Sequence, residues 1–205
     1  MYIWFFICAV GVVAVMPLYF LSIKHLNLQE KYGKERGIKI GEISGVVSGW
    51  GVFLFWFGMW VSPQPRFTFP AFQNLSVLVP AIDFPIPISH LAIFLPLFTV
   101  GAWLGIEGVA KTTLYTAETH RPDKIAIEGV YSIVRHPQYL GGLLAHIGTS
   151  FLLSAWYSLL STLMMAVIIY VVSWKEEEEL IKEFGKEYEN YKKKVPMLVP
   201  RRGRQ

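Results

Sequence analysis

Five apolar segments separate the polar parts of the chain, and they lie at approximately residues 2–23, 45–62, 89–110, 139–154 and 156–174. A helix needs about 20 apolar residues to cross a bilayer, and all segments except the short fourth one are near that length. Because only a residue or two around Ser154 and Ala155 separates the last two segments, we expect a tight helical hairpin or one re-entrant pair there. The pattern predicts an all-α integral membrane protein with about five transmembrane helices.

Lysine and arginine residues are distributed unevenly between these segments. Five lie between the first two segments, four between the third and the fourth, and nine after Trp174, whereas Arg66 alone lies between the second and the third. Cytoplasmic loops of membrane proteins carry an excess of these residues. We therefore expect the N-terminus and the loop 63–88 to face outward and the C-terminus to lie in the cytoplasm.

The composition agrees with a membrane protein and excludes several kinds of site. Hydrophobic residues make up 53% of the chain, which is too apolar for an ordinary soluble domain. The single cysteine, Cys8, excludes a disulfide framework and a cysteine-based metal site within one chain. His25, His90 and His120 are scattered, so no metal site is predicted. The first segment lacks a basic start and a clear cleavage site, so we interpret it as a retained helix.

Two regions follow from this organisation. Residues 1–110 hold the first three apolar segments, and residues 111–205 hold the last two with most of the polar motifs. The loop 63–88 contains six prolines, which disfavour a regular helix, so we expect it to lie along the membrane interface as a cap. Small residues at a spacing of four favour close helix packing; they are Gly41, Gly45, Gly49, Gly101, Gly105, Gly141 and Ala145.

The string Arg135-His136-Pro137-Gln138-Tyr139 stands directly before the fourth apolar segment. Proline is favoured in the first turn of a helix, so we expect a helix to begin here with His136 at its cap. The free N–H groups of that turn and the helix dipole favour a carboxylate or another anion. The alternative is an interfacial anchor, since Arg, His and Tyr are common at lipid headgroups.

Four adjacent glutamates, Glu176 to Glu179, follow the fifth apolar segment. Like charges just below a membrane repel one another unless they are paired, and a carboxylate facing the His136 turn would bind a primary ammonium group. The alternative is a solvated helix turn balanced by Lys175 and Lys182.

Other polar residues have weaker signals. Glu107 is a carboxylate near the inner end of the third segment and is therefore a functional candidate, and His146 is expected to be a hydrogen-bonded packing residue. An amphipathic helix is predicted after Trp174 from Ile181, Phe184, Tyr188 and Tyr191. The basic end of the chain favours anionic lipids over nucleic acid; it comprises Lys192, Lys193, Lys194, Arg201, Arg202 and Arg204.

Together these motifs resemble the superfamily of integral-membrane methyltransferases that act on isoprenylcysteine carboxylates and on phospholipids. The resemblance covers approximately Thr119 to Pro200 and rests on Gly129, Tyr131, residues 135–139, Gly141, Glu176, Glu177, Leu180, Phe184, Gly185, Tyr188, Tyr191, Val195 and Pro196. It implies S-adenosylmethionine as the methyl donor, in a cytoplasmic pocket of the C-terminal half where Glu176 binds its ammonium group. The residues implied to bind the cofactor are Ile125, Tyr131, Arg135, His136, Pro137, Gln138, Tyr139, Glu176 and Glu177.

The resemblance also implies a lipid-like or other membrane-soluble acceptor that reaches the site from the bilayer. Members that methylate prenylcysteine carry an arginine four residues before the cofactor glutamate, and this chain has Val172 there. Valine cannot pair with a carboxylate. The acceptor classes that remain open are neutral or amine lipids, quinone-like phenols and small thiols. Methyl transfer would be a direct displacement that depends on proximity, and Glu107 and His136 are the candidate bases.

Two other functions are compatible with parts of the sequence. A reductase of the sterol-reductase type would use NADPH, whose 2′-phosphate Arg135 and Lys124 could bind, but such chains are usually much longer. A membrane scaffold or lipid-binding protein would explain the small-residue stripes and the basic tail, but not the pairing of the His-Pro turn with the glutamates. We expect a multi-pass protein of a prokaryotic plasma membrane.

Overall fold

Nine α-helices dominate the computed structural model, which describes residues 2–69, 75–80, 84–120 and 122–200. The first three are α1 (Ile3–Ile23), α2 (His25–Tyr32) and α3 (Lys34–Val61), and the antiparallel strands β1 (Ser76–Val79) and β2 (Phe84–Pro87) follow. The others are α4 (Ile88–Thr112), α5 (Leu114–Thr119), α6 (Pro137–Leu152), α7 (Trp156–Leu160), α8 (Thr162–Phe184) and α9 (Lys186–Lys194), with a 3₁₀ helix (Gly129–Ser132) before α6.

Four helical stretches of the described chain are long and apolar enough to cross a membrane: α1, α3, α4 and the stretch Trp156–Phe184, which contains α7 and α8. Large apolar side chains on these helices point away from the protein, and Trp50, Leu54 and Leu163 each expose more than half of their surface. Extensive apolar surface of this kind marks contact with a membrane. The expectation of an all-α integral membrane protein is confirmed, although two short strands interrupt the helices.

The fourth apolar segment forms α6, a helix of only 16 residues. Residues 153–155 connect it to α7, and Ser154 adopts a positive φ of 52° within this turn. The tight hairpin expected here is therefore present. Because α6 is shorter than the helices that are long enough to span, the count of five spans stays a prediction.

The helix that contains the second apolar segment begins earlier than the apolar pattern predicts. α3 starts at Lys34 rather than near residue 45 and is 28 residues long. Arg36 and Lys39 consequently lie on this helix and not in a loop. Gly33, with a φ of 82°, separates α3 from α2, and glycine adopts such a positive φ without a steric penalty.

Glycines bring α4 and α6 into close contact. A Cβ atom on Gly141 would lie 2.5 Å from the carbonyl oxygen of Gly101, and a Cβ on Gly101 would lie 2.6 Å from that of Gly141. Such contacts confirm small-residue packing for these two segments. On α3 the stripe packs only in part, because a Cβ on Gly45 would lie 2.6 Å from the Glu118 carbonyl oxygen, whereas one on Gly49 would have no described neighbouring atom within 4 Å.

The segment after α3 covers the turn between α6 and α7. Arg66 forms an isolated antiparallel bridge with Ala155, and the N–H of Trp156 donates to the carbonyl oxygen of Pro65 at 3.0 Å. The described residues between 63 and 87 form strands and extended chain and no helix, as the prolines of this loop predict. Pro70 lies outside the described residues.

The C-terminal helices differ from the single amphipathic helix expected after Trp174. α8 passes Trp174 without a break, and it ends because Gly185 turns the chain with a φ of 56°. Tyr188 and Tyr191 on α9 are both buried, as the amphipathic pattern indicated. Three residues of the basic tail, Arg201, Arg202 and Arg204, lie outside the described part of the chain.

Candidate active site

A cleft lies where the end of α4, residues 116–120 and 122–126, the start of α6, α8 and α9 meet. It holds about 700 Å³ of space that is free of protein, including the part open to solvent. Of the nine residues expected to bind a cofactor, eight line the cleft, and Glu177 is the exception. The eight are Ile125, Tyr131, the five residues from Arg135 to Tyr139, and Glu176.

The start of α6 has the geometry expected for an anion site. Pro137 is the first helical residue and His136 is the cap, and no side-chain hydrogen bond caps this end within the described chain. The first N–H groups of α6 are therefore left for a ligand. The tail fixes the turn, because the N–H of Arg135 donates to the Pro196 carbonyl at 2.9 Å and the N–H of His136 to that of Met197 at 3.1 Å.

Arg135 and Glu177 form a buried ion pair behind this turn. Arg135 Nε donates to Glu177 Oε1 at 2.7 Å, and the Glu177 side chain is completely buried. Lys192 Nζ lies 2.8 Å from Glu177 Oε2, and His136 Nε2 lies 3.2 Å from Glu177 Oε1. Arg135 also donates to the carbonyl oxygens of Lys192 and Val195. These contacts tie α6, α8 and α9 together.

Glu176, the neighbouring carboxylate, lines the cleft instead. Tyr139 Oη donates to Glu176 Oε2 at 2.8 Å, and Tyr19 Oη lies 2.5 Å from Tyr139 Oη. Because the Tyr139 hydrogen is directed to the carboxylate, Tyr19 donates to Tyr139. The imidazole of His136 stacks on the ring of Tyr139 with 5.4 Å between their centroids. One Glu176 oxygen is thus held by a chain of two phenols.

Three buried tyrosines complete the wall of the cleft near α9. Tyr191 Oη donates to the carbonyl oxygen of Tyr131 at 2.6 Å. Gln138 Nε2 donates to Tyr131 Oη and to Thr112 Oγ1, each at 3.1 Å. Burial raises the pKa of Tyr131 above its usual value, and it does the same for Tyr188 and Tyr191. These phenols therefore stay neutral at physiological pH and act as hydrogen-bonding groups.

His120 also lines the cleft, although its position in the sequence gave no sign of a role. It is buried, its Nδ1 lies 2.8 Å from Ser22 Oγ, and its ring centroid lies 4.1 Å from that of Tyr19. Burial lowers the pKa of His120 from 6.5 to about 4. His120 follows α5 and lies 98 residues after Ser22 of α1, so only the tertiary fold brings it to Ser22 and Tyr19.

Other candidates lie away from the cleft. Glu107 is half-buried on α4 and does not belong to the cleft lining. His146 is a packing residue as expected, because its Nδ1 accepts the indole N–H groups of Trp56 at 2.6 Å and Trp60 at 2.9 Å. Val172 is buried in a cluster with Met16, Tyr19 and Ile23.

Residues 90–187 match the family model of the phospholipid methyltransferases. The protein-S-isoprenylcysteine O-methyltransferase of Schizosaccharomyces pombe is 31% identical over 101 residues, which cover 45% of this chain and 40% of that protein. Methanethiol S-methyltransferase 2 of Bradyrhizobium diazoefficiens is 46% identical over 72 residues, or 35% of this chain and 27% of that protein. The methanethiol S-methyltransferase of Crocosphaera subtropica is 28% identical over 167 residues, which cover 71% of this chain and 64% of that protein.

The chain spans less than two thirds of the length of each of these relatives. The region that matches the family model contains the start of α6 and Glu176, which both line the cleft. These findings confirm the resemblance to the superfamily of integral-membrane methyltransferases that includes the isoprenylcysteine and phospholipid enzymes.

Proposed function

We propose that this protein is an S-adenosylmethionine-dependent membrane methyltransferase that acts on an uncharged, membrane-soluble acceptor. One observation carries the proposal: the free N–H groups at the start of α6 and the carboxylate of Glu176 border the same cleft. A zwitterionic amino-acid moiety needs such a pair of sites. The matched relatives are named as methyltransferases of isoprenylcysteine or of methanethiol, and these names support a methyl-transfer reaction.

The residues of the cleft would divide the work of holding the cofactor. Glu176 would bind the ammonium group, and the first turn of α6 at Gln138 and Tyr139 would bind the carboxylate. Ile125, Tyr131 and Pro137 would line the remaining surface. When bound, S-adenosylmethionine supplies a methyl group that is already activated by its sulfonium charge. Positioning is then the main contribution of the protein.

Arg135, His136 and Glu177 would act mainly by holding this surface in place. The side chain of Glu177 is turned to Arg135, His136 and Lys192. His136 has one ring nitrogen 3.2 Å from Glu177 and the other 3.7 Å from Glu176. With a carboxylate next to each nitrogen, His136 is suited to orient the two glutamates. Glu107 does not line the cleft, so it could act as a base only on an acceptor that is bound outside the cleft.

The acceptor would approach from the bilayer next to Val172. This valine packs with Met16 and Ile23 at the position where a carboxylate-binding arginine would be needed for prenylcysteine. The buried apolar side chains there favour a neutral lipid or a small thiol over a carboxylate. The excess of basic residues at the cleft end of the molecule supports a cytoplasmic active site in a plasma membrane.

Titration calorimetry of S-adenosylmethionine into the detergent-purified protein tests the proposal, with Glu176→Gln as the variant. Charge-assisted hydrogen bonds contribute about 1.5–3 kcal/mol, so we expect the affinity to fall roughly 10- to 100-fold. Glu178→Gln is the matched control, because Glu178 stands outside the cleft lining and pairs with Lys175 at 2.8 Å. Equal affinity in both variants would contradict the role of Glu176.

The same titration separates this proposal from a reductase or a scaffold. Binding of S-adenosylmethionine followed by transfer of a labelled methyl group into a lipid or thiol extract would support the methyltransferase. Binding of NADPH in its place would support a reductase. A folded protein that binds neither compound would support a scaffold.

A further inference from the structure

His120 is a buried imidazole at the wall of the cleft that the cofactor roles above do not use. Its backbone follows α5 with a φ of 56°, and its N–H donates to the Thr116 carbonyl at 2.9 Å. The left-handed region is unfavourable for most side chains, and histidine is among the residues that adopt it more often. The fold therefore holds this ring in a defined position against α1.

The hydrogen bonds of Ser22 determine which nitrogen of His120 carries the proton. Ser22 Oγ donates its only hydrogen to the carbonyl oxygen of Tyr19 at 2.7 Å. The contact of 2.8 Å between Ser22 Oγ and His120 Nδ1 then requires Nδ1 to be the donor. Nε2, at the opposite edge of the ring, keeps its lone pair. Since burial lowers the pKa of His120 to about 4, the ring is neutral at physiological pH.

His120 stands at the same end of the cleft as Glu176. Its ring contacts the ring of Tyr19, and Tyr19 is linked through Tyr139 to Glu176 by two hydrogen bonds. Tyr19 also belongs to the apolar cluster of Val172. His120, which lines the cleft, is therefore linked through Tyr19 both to Glu176 of the proposed cofactor site and to the apolar cluster of Val172.

We propose that His120 Nε2 accepts the proton of a thiol acceptor during methyl transfer, an inference that rests on the methyltransferase function proposed above. As the S–H bond breaks, its proton moves to Nε2 and the sulfur forms a bond to the methyl carbon. The electron pair of the broken methyl–sulfonium bond stays on the cofactor sulfur. One positive charge is present before and after, first on the sulfonium and then on the imidazolium. A carboxylate acceptor would have no proton for His120 to accept.

His120→Asn tests the proposal, since asparagine tolerates the left-handed backbone and removes the basic nitrogen. General bases contribute about 10²–10⁴-fold to a rate. Because a base with a pKa of about 4 lies well below the operating pH, we expect kcat/KM for alkanethiols to fall by the lower end of that range, roughly 100-fold. The fall should be much smaller for aromatic thiols, which are acidic enough to enter as thiolates. Affinity for S-adenosylmethionine should stay unchanged. An equal loss for both classes of thiol, or no loss, would overturn the proposal.

His90→Asn is the matched control, because His90 is a buried histidine like His120 but bonds Ser154 at the other end of the protein. It should leave the ratio of rates for alkyl and aromatic thiols unchanged. Wild-type protein that binds S-adenosylmethionine but methylates no thiol would overturn the role of His120 and leave the methyltransferase proposal standing. Protein that binds no S-adenosylmethionine would overturn the methyltransferase proposal itself.

A second measurement does not depend on turnover. Diethyl pyrocarbonate modifies neutral imidazoles, and mass spectrometry locates the modified residues. Without cofactor, we expect modification of His120, slowed by an added dialkyl sulfide, which resembles the methylated product and does not consume the reagent, whereas His146 should remain unmodified because both of its nitrogens are engaged in hydrogen bonds. A His120 that does not react, or that the sulfide does not protect, would overturn the proposal.

Discussion

Glu176 and Glu177 are adjacent in sequence, yet they have different surroundings. Successive residues of an α-helix point about 100° apart, so one carboxylate faces the cleft while the other is directed into the contact with Arg135 and Lys192. A pair of glutamates at this position therefore combines a ligand-binding group with a structural one. Substitution of either residue should affect cofactor binding, but for different reasons.

Glu177→Gln should lower the stability of the protein as well as its affinity for the cofactor. Removal of one partner from a buried ion pair costs about 3–5 kcal/mol, because the remaining charge is left uncompensated. Here Arg135 would lose its contact of 2.7 Å, and Lys192 would lose one of 2.8 Å. Thermal unfolding in detergent should show a lower Tm for this variant than for Glu176→Gln. A Tm equal to that of Glu176→Gln would show that the pair contributes little.

At the scale of elements, the position of α6 determines the shape of the cleft. Its first turn provides the proposed anion site, and its middle packs on α4 through Gly101 and Gly141. The carbonyl groups of Pro196 and Met197 hold the residues just before it. Displacement of α6 from α4 would move His136 and Tyr139 together, because both are rigidly attached to its start.

Gly141→Ala tests this coupling between packing and the site. The added methyl group would lie 2.5 Å from the carbonyl oxygen of Gly101, so the helices must separate. Overpacking of this kind costs about 1–3 kcal/mol, and we expect a lower Tm and weaker cofactor binding. Gly49→Ala is the control, since its methyl group would have no described neighbour within 4 Å. That variant should be unchanged or slightly more stable, because alanine has the higher helix propensity.

The hydropathy pattern was sufficient to predict the helices but not their ends. α3 extends back to Lys34 through a basic stretch that a search for apolar residues assigns to a loop. α8 continues past Trp174 because the lysine and glutamate residues that follow are good helix formers. The helix ends at Phe184, directly before Gly185. The His-Pro turn and Glu176 were predictable because each stands next to an apolar segment. His120 was not, since its partners Tyr19 and Ser22 lie about 100 residues earlier in the chain.

At the scale of the whole molecule, the two ends of the helical bundle differ in charge. The cleft lies at the end where α2 approaches α8, with His25 Nε2 3.2 Å from Glu183 Oε2. The opposite end is covered by the segment around Arg66, which bridges to Ala155. Basic residues are concentrated near the first of these ends and are scarce near the second. The positive-inside rule therefore supports the proposed cytoplasmic position of the cleft, where a soluble, charged cofactor would be available.

Cysteine labelling measures this orientation directly. In a Cys8→Ala background, Thr68→Cys and Lys193→Cys would place single thiols at exposed positions near opposite ends of the molecule. A membrane-impermeant maleimide should label Thr68→Cys in intact bacterial cells, and it should label Lys193→Cys only after permeabilisation. The reverse pattern would place the cleft outside the cell. Because a charged cofactor does not cross the hydrocarbon core, that result would separate the proposed site from its methyl donor even if the purified protein binds it.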